Sequence, residues 1–87
     1  MKKYAQNKDL ISTKLDEELI MLDIDQGKYF GLNPVAVRIW ELIESPKSLD
    51  ELCEALLQEY EVSPALCQQD TAVHLEEMIR MNLISQV

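Results

Sequence analysis

The chain has 87 residues, enough for one domain with one modest core and too few for two. Apolar residues make up 47% and charged residues 28%, which excludes a disordered chain and predicts a packed one. Sixteen acidic against eight basic residues give a formal charge of −8, which opposes nonspecific binding to nucleic acid or anionic membranes and suits a neutral or basic partner.

The first ten residues, MKKYAQNKDL, carry basic residues with no apolar stretch behind them, so they do not read as a signal peptide. No run approaches the roughly 20 apolar residues of a membrane helix. A cytoplasmic location is expected. Residues 1–8 are polar and are predicted to be frayed. Residues 9–14 form a short first strand with Ile11 on one face. In residues 17–24, Ile20, Leu22 and Ile24 alternate onto one face and Leu19, Met21 and Asp23 onto the other. Asp25-Gln26-Gly27 is a turn with a glycine free to take positive φ. Lys28 to Leu32 then returns as a hairpin strand, with Phe30 and Leu32 on one face and Tyr29 and Gly31 on the other.

Three helices follow. Asn33-Pro34 is a cap followed by a first-position proline; Ala36, Ile39, Trp40 and Ile43 then share a face, and Ser45-Pro46 ends the helix. Ser48-Leu49-Asp50-Glu51 is a capping box opening a helix over 48–60, with Leu49, Leu52, Cys53, Leu56 and Leu57 at helical spacing. Ser63-Pro64 starts the last helix, 64–81, with Cys67, Thr71, His74, Leu75, Met78 and Ile79 on its apolar face and Asn82 as a left-handed cap. Leu83 and Ile84 fold back or begin an extended tail. Strands first and helices after predict an α+β fold. A three-stranded antiparallel sheet beside the helix-turn-helix unit of 48–60 and 64–81 makes it winged-helix-like.

Catalytic chemistry finds little support. Cys53, Cys67 and His74 are the only soft or imidazole ligands, and their spacing matches no zinc motif. Both cysteines read as small buried hydrophobes of a reducing compartment, with a disulfide left open. A lone histidine on an apolar helical face is a core or groove residue rather than a base. Gly27 and Gly31 both fall in the hairpin, so no phosphate loop exists. Neither a metal nor another cofactor is expected, nor any catalytic residue. The last helix carries Gln68, Gln69, Asp70, Glu76, Glu77 and Arg80, a charge balance that repels a duplex and argues against a winged-helix transcription factor or antitoxin. An acidic carrier protein is a further alternative. It needs a serine at a helix start in an Asp-Ser-Leu setting, whereas Ser48 follows Lys47, and the hairpin does not fit a helical bundle.

The strand Lys28 to Leu32 lies last in sheet order, so one of its edges is expected to be open. Open edges are usually blocked, but they can also accept a peptide strand. Gly31 either leaves room for an approaching backbone or lets a helix pack closely. On the first reading, proline or a bulky residue at 31 obstructs the incoming strand.

The ordered set Asp25 to Asn33, Ala36, Arg38-Ile39-Trp40, Leu42, Ser48 to Leu52, Leu56-Leu57, Tyr60, Val62, Asp70, Leu75, Met78-Ile79 and Leu83-Ile84 resembles the PqqD-like family, over residues 10–84. It is most similar to the stand-alone leader-recognition proteins of lasso peptide biosynthesis. The resemblance implies a RiPP recognition element, three strands packed on three helices. Such a module is not an enzyme. It binds the leader of a ribosomally made precursor peptide as an antiparallel strand and presents it to a leader peptidase, while a separate cyclase closes the ring. Carried over, the docking strand is Lys28, Tyr29, Phe30, Gly31 and Leu32, and the opposite wall is Asp70, Val73, His74 and Glu77. His74 departs from the aromatic or aliphatic residue expected there. The acidic surface suits a leader carrying lysine or arginine. The open edge also allows either a monomer or an edge-mediated dimer.

Overall fold

The computed structural model describes residues 2–16 and 18–87; Met1 and Glu17, the expected start of the second strand, lie outside them. The element order is β1 (Tyr4–Gln6), β2 (Ile11–Leu15), β3 (Glu18–Asp23), β4 (Lys28–Leu32), α1 (Pro34–Leu42), α2 (Leu49–Glu59), α3 (Pro64–Arg80) and β5 (Ile84–Gln86). The α+β class, the three-stranded antiparallel sheet and the three following helices are as the sequence predicts, with a second, two-stranded sheet added to them.

Strands β2, β3 and β4 form a meander in that order. Its register sets Ile11, Leu22 and Tyr29 in one row across the sheet, and Thr13, Ile20 and Gly31 in the next. Period-2 alternation then separates two faces. Leu19, Met21 and Leu32 on the inner face are buried and meet α1. Among the described residues no helix covers the outer face, where Ile11, Leu15, Leu22 and Tyr29 are exposed. Between β3 and β4, Gly27 takes φ +65°, and the Asp23 carboxylate accepts from the Gln26 amide at 3.2 Å. That contact explains why a carboxylate sits on the inner face.

Each helix starts on its expected cap. Asn33 Oδ1 accepts from the Ala36 amide at 2.9 Å and Ser63 Oγ from Leu66 at 3.2 Å, each ahead of a proline whose missing N–H costs nothing in the first turn. At α2 the box is reciprocal: Glu51 N donates to Ser48 Oγ at 3.2 Å and Ser48 N to Glu51 Oε1 at 3.0 Å. Helix α3 ends in a Schellman motif. Asn82 has φ +63°; Leu83 N donates to Met78 O and Asn82 N to Ile79 O, both at 2.9 Å. Leu83 and Met78, the pair this motif brings together, are buried.

The predicted frayed N-terminus is corrected by the structure. Tyr4–Gln6 pairs antiparallel with Ile84–Gln86, and Tyr4 also exchanges main-chain bonds of 2.7 and 3.1 Å with Lys47 in the α1–α2 loop. Gln6 Nε2 donates to Trp40 O at 2.7 Å and Asn7 Nδ2 to Asn82 O at 2.8 Å. Polar side chains that read as solvated thus tie the segment to α1 and to the cap of α3.

The core joins the inner sheet face to all three helices, through Ile39, Trp40 and Ile43, Leu52 and Leu56, and Leu75 and Met78. Each such side chain contributes about 1.5–3 kcal/mol by leaving water. Helix α3 packs mainly on α2 and β5, while α1 covers β3 and β4.

Candidate functional site

Three features of the surface stand out against this frame. The first is the edge of β4. Among the described residues, strand order leaves it with β3 on one side and no strand on the other. Along it Lys28, Tyr29 and Gly31 are exposed, Phe30 is half-buried and Leu32 is buried. Tyr29 is the most exposed large apolar residue of the described chain, at 76%. A Cβ built on Gly31 would meet nothing within 4 Å, so this glycine does not serve close helix packing. Its Cα–H side points out of the outer face, perpendicular to the direction in which strands pair. A bulky residue there therefore does not enter the plane of an incoming strand. That part of the sequence-based expectation is revised; proline at 31 would instead remove a main-chain donor from the strand.

The second feature lies between the start of α1, the end of α2 and the first half of α3. A pocket of about 120 Å³ is walled by Val35, Leu56, Tyr60, Val62 and Cys67, with Asp70 and Thr71 completing it. Its walls Tyr60 and Val62 are exposed, as are Leu66 and Val73 on α3. Of the predicted wall residues, Asp70 lines this pocket, whose lining residues come from α1, α2, α3 and the α2–α3 loop rather than from β4. Val73, His74 and Glu77 continue from it along α3. Val73 and Glu77 are exposed, while His74 is half-buried with Nδ1 2.9 Å from the Asp70 carbonyl oxygen. If Nδ1 carries the proton, it donates there and Nε2 remains available. The pocket itself was not foreseen. Its signal in the sequence was Val35, Tyr60 and Val62, apolar residues placed at or beyond helix ends where the core pattern does not require them.

The third feature is the outer sheet face. Ile11, Leu15, Leu22, Ile24 and Tyr29 are all exposed there, an apolar platform opposite the helices.

Electrostatics follow from local contacts. Arg38 Nε donates to both carboxylate oxygens of Glu59 at 2.8 and 2.9 Å, and its Nη1 lies 4.0 Å from Glu41; the Arg38 hydrogen bond holds the Glu59 pKa below the usual carboxylate range. Hydrogen bonds to Ser48, from its amide first, do the same for Glu51. Burial pushes the Cys53 thiol up to about 11. Both cysteines are free and buried, with Cys67 Sγ 4.0 Å from the Cys53 carbonyl. These are inert packing thiols, not nucleophiles. Ser48 is buried at 2% exposure inside its capping box, which withholds it from the role a carrier-protein serine plays. Among the described residues no three His, Cys, Asp or Glu side chains gather as a metal site, and no helix is long and apolar enough to cross a membrane.

No curated protein matches the sequence. Two solved structures match the fold over nearly its whole length. TbiB1 in complex with the TbiA(beta) leader peptide superposes with a TM-score of 0.84 at 30% identity, covering 93% of this chain and 94% of that one. A lasso peptide synthetase B1 complexed with the leader peptide gives 0.83 at 21% identity, covering 94% and 96%. The family described as coenzyme PQQ synthesis protein D matches residues 18–84, most of the chain, with the meander, all three helices and the start of β5 inside the match. The chain therefore belongs to the PqqD family, and it is a non-catalytic binding module with the fold of a RiPP recognition element.

Proposed function

We propose that this domain captures the leader of a ribosomally made precursor peptide as an antiparallel strand on β4 and presents it to a leader peptidase in lasso peptide biosynthesis. The observation that carries the reading is the edge of β4 left without a partner strand among the described residues; an apolar pocket opens between the start of α1, which follows β4 directly, and helices α2 and α3. Main-chain groups of the edge supply affinity that any extended segment can use, and the pocket supplies selection among side chains. Lys28, Tyr29, Phe30, Gly31 and Leu32 form the docking strand. Asp70, Val73, His74 and Glu77 form the facing wall. Two similar structures hold leader peptides, which supports the same class of ligand here.

The outer sheet face is assigned to the peptidase. It is continuous with the docking edge through Tyr29, so an enzyme seated on Ile11, Leu22 and Tyr29 lies beside the captured strand. The acidic net charge makes a second copy of the chain the poorer occupant of that face.

The test is hydrogen exchange of the full chain with and without the leader encoded by its companion precursor gene. Leader binding is expected to protect amides of β4 and to leave the edge strand β2 unchanged. Protection of β2 with β4 unaffected, or no saturable binding by a folded protein, would refute strand addition on β4.

A further inference from the structure

The meander has a second open end, at β2. Among the described residues this strand has β3 on one side and no strand on the other, and all five of its residues are exposed. Leu15 pairs with Glu18 where the chain reverses, and the pair that closes such a short hairpin exchanges main-chain hydrogen bonds. Alternation along the ladder then turns the main-chain groups of Ile11, Thr13 and Leu15 toward β3 and those of Ser12 and Lys14 toward the free edge. Open edges are usually defended by proline, a bulge or a lysine. Here β2 has no proline, and its register with β3 runs unbroken from Ile11 to Leu15. Lys14 shares the inner face with Leu19, where its Nζ lies 3.9 Å from Glu41 of α1 and so does not bar the edge.

The strand is also complementary to itself. A two-fold axis through Thr13 sets Thr13 against Thr13 of a second copy, Ile11 against its Leu15 and Ser12 against its Lys14. That register pairs the whole strand and joins the outward main-chain groups of Ser12 and Lys14 reciprocally. It also puts no like charges opposite each other, whereas an axis through Lys14 would set two lysines face to face. Lys14 is the one charged residue of β2 in a chain of net charge −8, so along this strand two copies meet without acid against acid. On the outer face Ile11 and Leu15, 50% and 56% exposed, cover one another across the join. The helices leave room, because α1 covers β3 and β4. Strands about 4.8 Å apart put the two β3 strands roughly 14 Å from each other, enough for two helices of about 10 Å diameter. We infer that two copies of this chain associate through β2, joining their three-stranded sheets into one. The two β4 edges then lie at opposite ends of the joined sheet, so association and occupation of β4 do not compete, and the inference is independent of what β4 binds. One short strand from each copy makes a small contact, so the dimer is weak and forms at about 0.1–1 mM.

The test is sedimentation equilibrium of the full chain between about 10 μM and about 1 mM, with amide exchange at both ends of that range. The wild type is expected to shift from monomer to dimer, and the amides of Ser12 and Lys14 to exchange more slowly at the higher concentration while β4 is unchanged. Added salt should strengthen the dimer, because it screens two acidic copies from each other. Thr13 stands on the axis at an exposed site, so Thr13→Lys or Thr13→Glu alone sets like charges face to face and should weaken association about two- to fivefold. An equimolar mixture of the two should pair about two- to fivefold more tightly than either alone. Ser12→Pro removes an edge donor that β3 does not use and should abolish the dimer, which keeps the test intact if a Thr13 variant does not fold. Circular dichroism melts identify folded variants. A folded wild type that stays monomeric at the top of the range, slowed exchange in β4 instead of β2, a mixture no tighter than its components, or a dimer that survives Ser12→Pro would overturn the assignment.

Discussion

Replacing Gly31 with valine separates two ways in which a peptide could meet this sheet. Position 31 lies in a strand with open space where its side chain would be, directly across from Ile20. A glycine in a strand interior is about 0.5–1 kcal/mol less favourable than alanine, and a β-branched residue also gains a cross-strand contact of about 0.2–1 kcal/mol. Gly31→Val should therefore stabilise the fold by about 0.7–2 kcal/mol, which in a domain of this size raises Tm by about 3–16 °C. The new side chain stands on the outer face, out of the plane of strand pairing. Leader affinity, read by fluorescence anisotropy, should then change by less than about twofold, or about 0.4 kcal/mol. A folded Gly31→Val that binds the leader tenfold more weakly would place the peptide over the outer face and refute edge addition. A fall in Tm would refute the open space that the backbone leaves at this position.

Four other outcomes are expected. Ser48→Ala removes the acceptor for the Glu51 amide and should cost about 1 kcal/mol, or about 4–8 °C in Tm by circular dichroism. The folded-state pKa values of Glu51 and Glu59 lie below the usual range, so the stability they contribute is present above the unfolded carboxylate pKa and disappears as pH falls through the folded values. Urea midpoints taken from neutral to acid pH should decline there, and less steeply in Arg38→Met, which lacks the partner of Glu59. Leu22→Asp, on the outer face, should leave leader affinity within about twofold but slow leader removal by the cognate peptidase; normal cleavage kinetics would sink the assignment of that face. Burial holds the Cys53 thiol near 11, so a thiol-reactive chromogen at pH 8 should report almost no cysteine until denaturant is added, and immediate reaction of both thiols would contradict their packing.

The capping signals made the helices legible. Asn33-Pro34, Ser48 to Glu51 and Ser63-Pro64 each pair a side-chain acceptor with the amides that a helix start leaves free, a rule that needs only neighbouring residues. Asn82 was legible for the same reason at the other end. The hairpin followed from alternation and Gly27. Alternation did not say which face of residues 18–23 is buried, because Ile20, Leu22 and Ile24 are as apolar as Leu19 and Met21; the inner face is decided by α1, which packs on one side alone. Strand β1 was not legible, since its partner lies about 80 positions away and its anchors, Gln6 and Asn7, bond to backbone that has no signature in the sequence. For the site, β4 followed from its place at the end of the meander. The pocket did not, because Val35, Tyr60 and Cys67 converge only once α1, α2 and α3 are assembled.

The closure of β1 on β5 has a mechanical consequence. Lys3 and Val87 exchange two main-chain hydrogen bonds, of 3.3 and 2.8 Å, so both ends of the chain leave the fold at the same end of one short antiparallel ribbon. Tension applied between them does not shear this ribbon along its length. It peels the ribbon open one residue pair at a time, the geometry in which hydrogen bonds yield at low force. The meander that carries β4 is outside that load path until the ribbon has opened. Tethering the domain by its two ends should therefore pull the clasp apart first and leave the docking edge folded, a sequence of events that a single-molecule stretching trace would record as a small early extension before the main unfolding step.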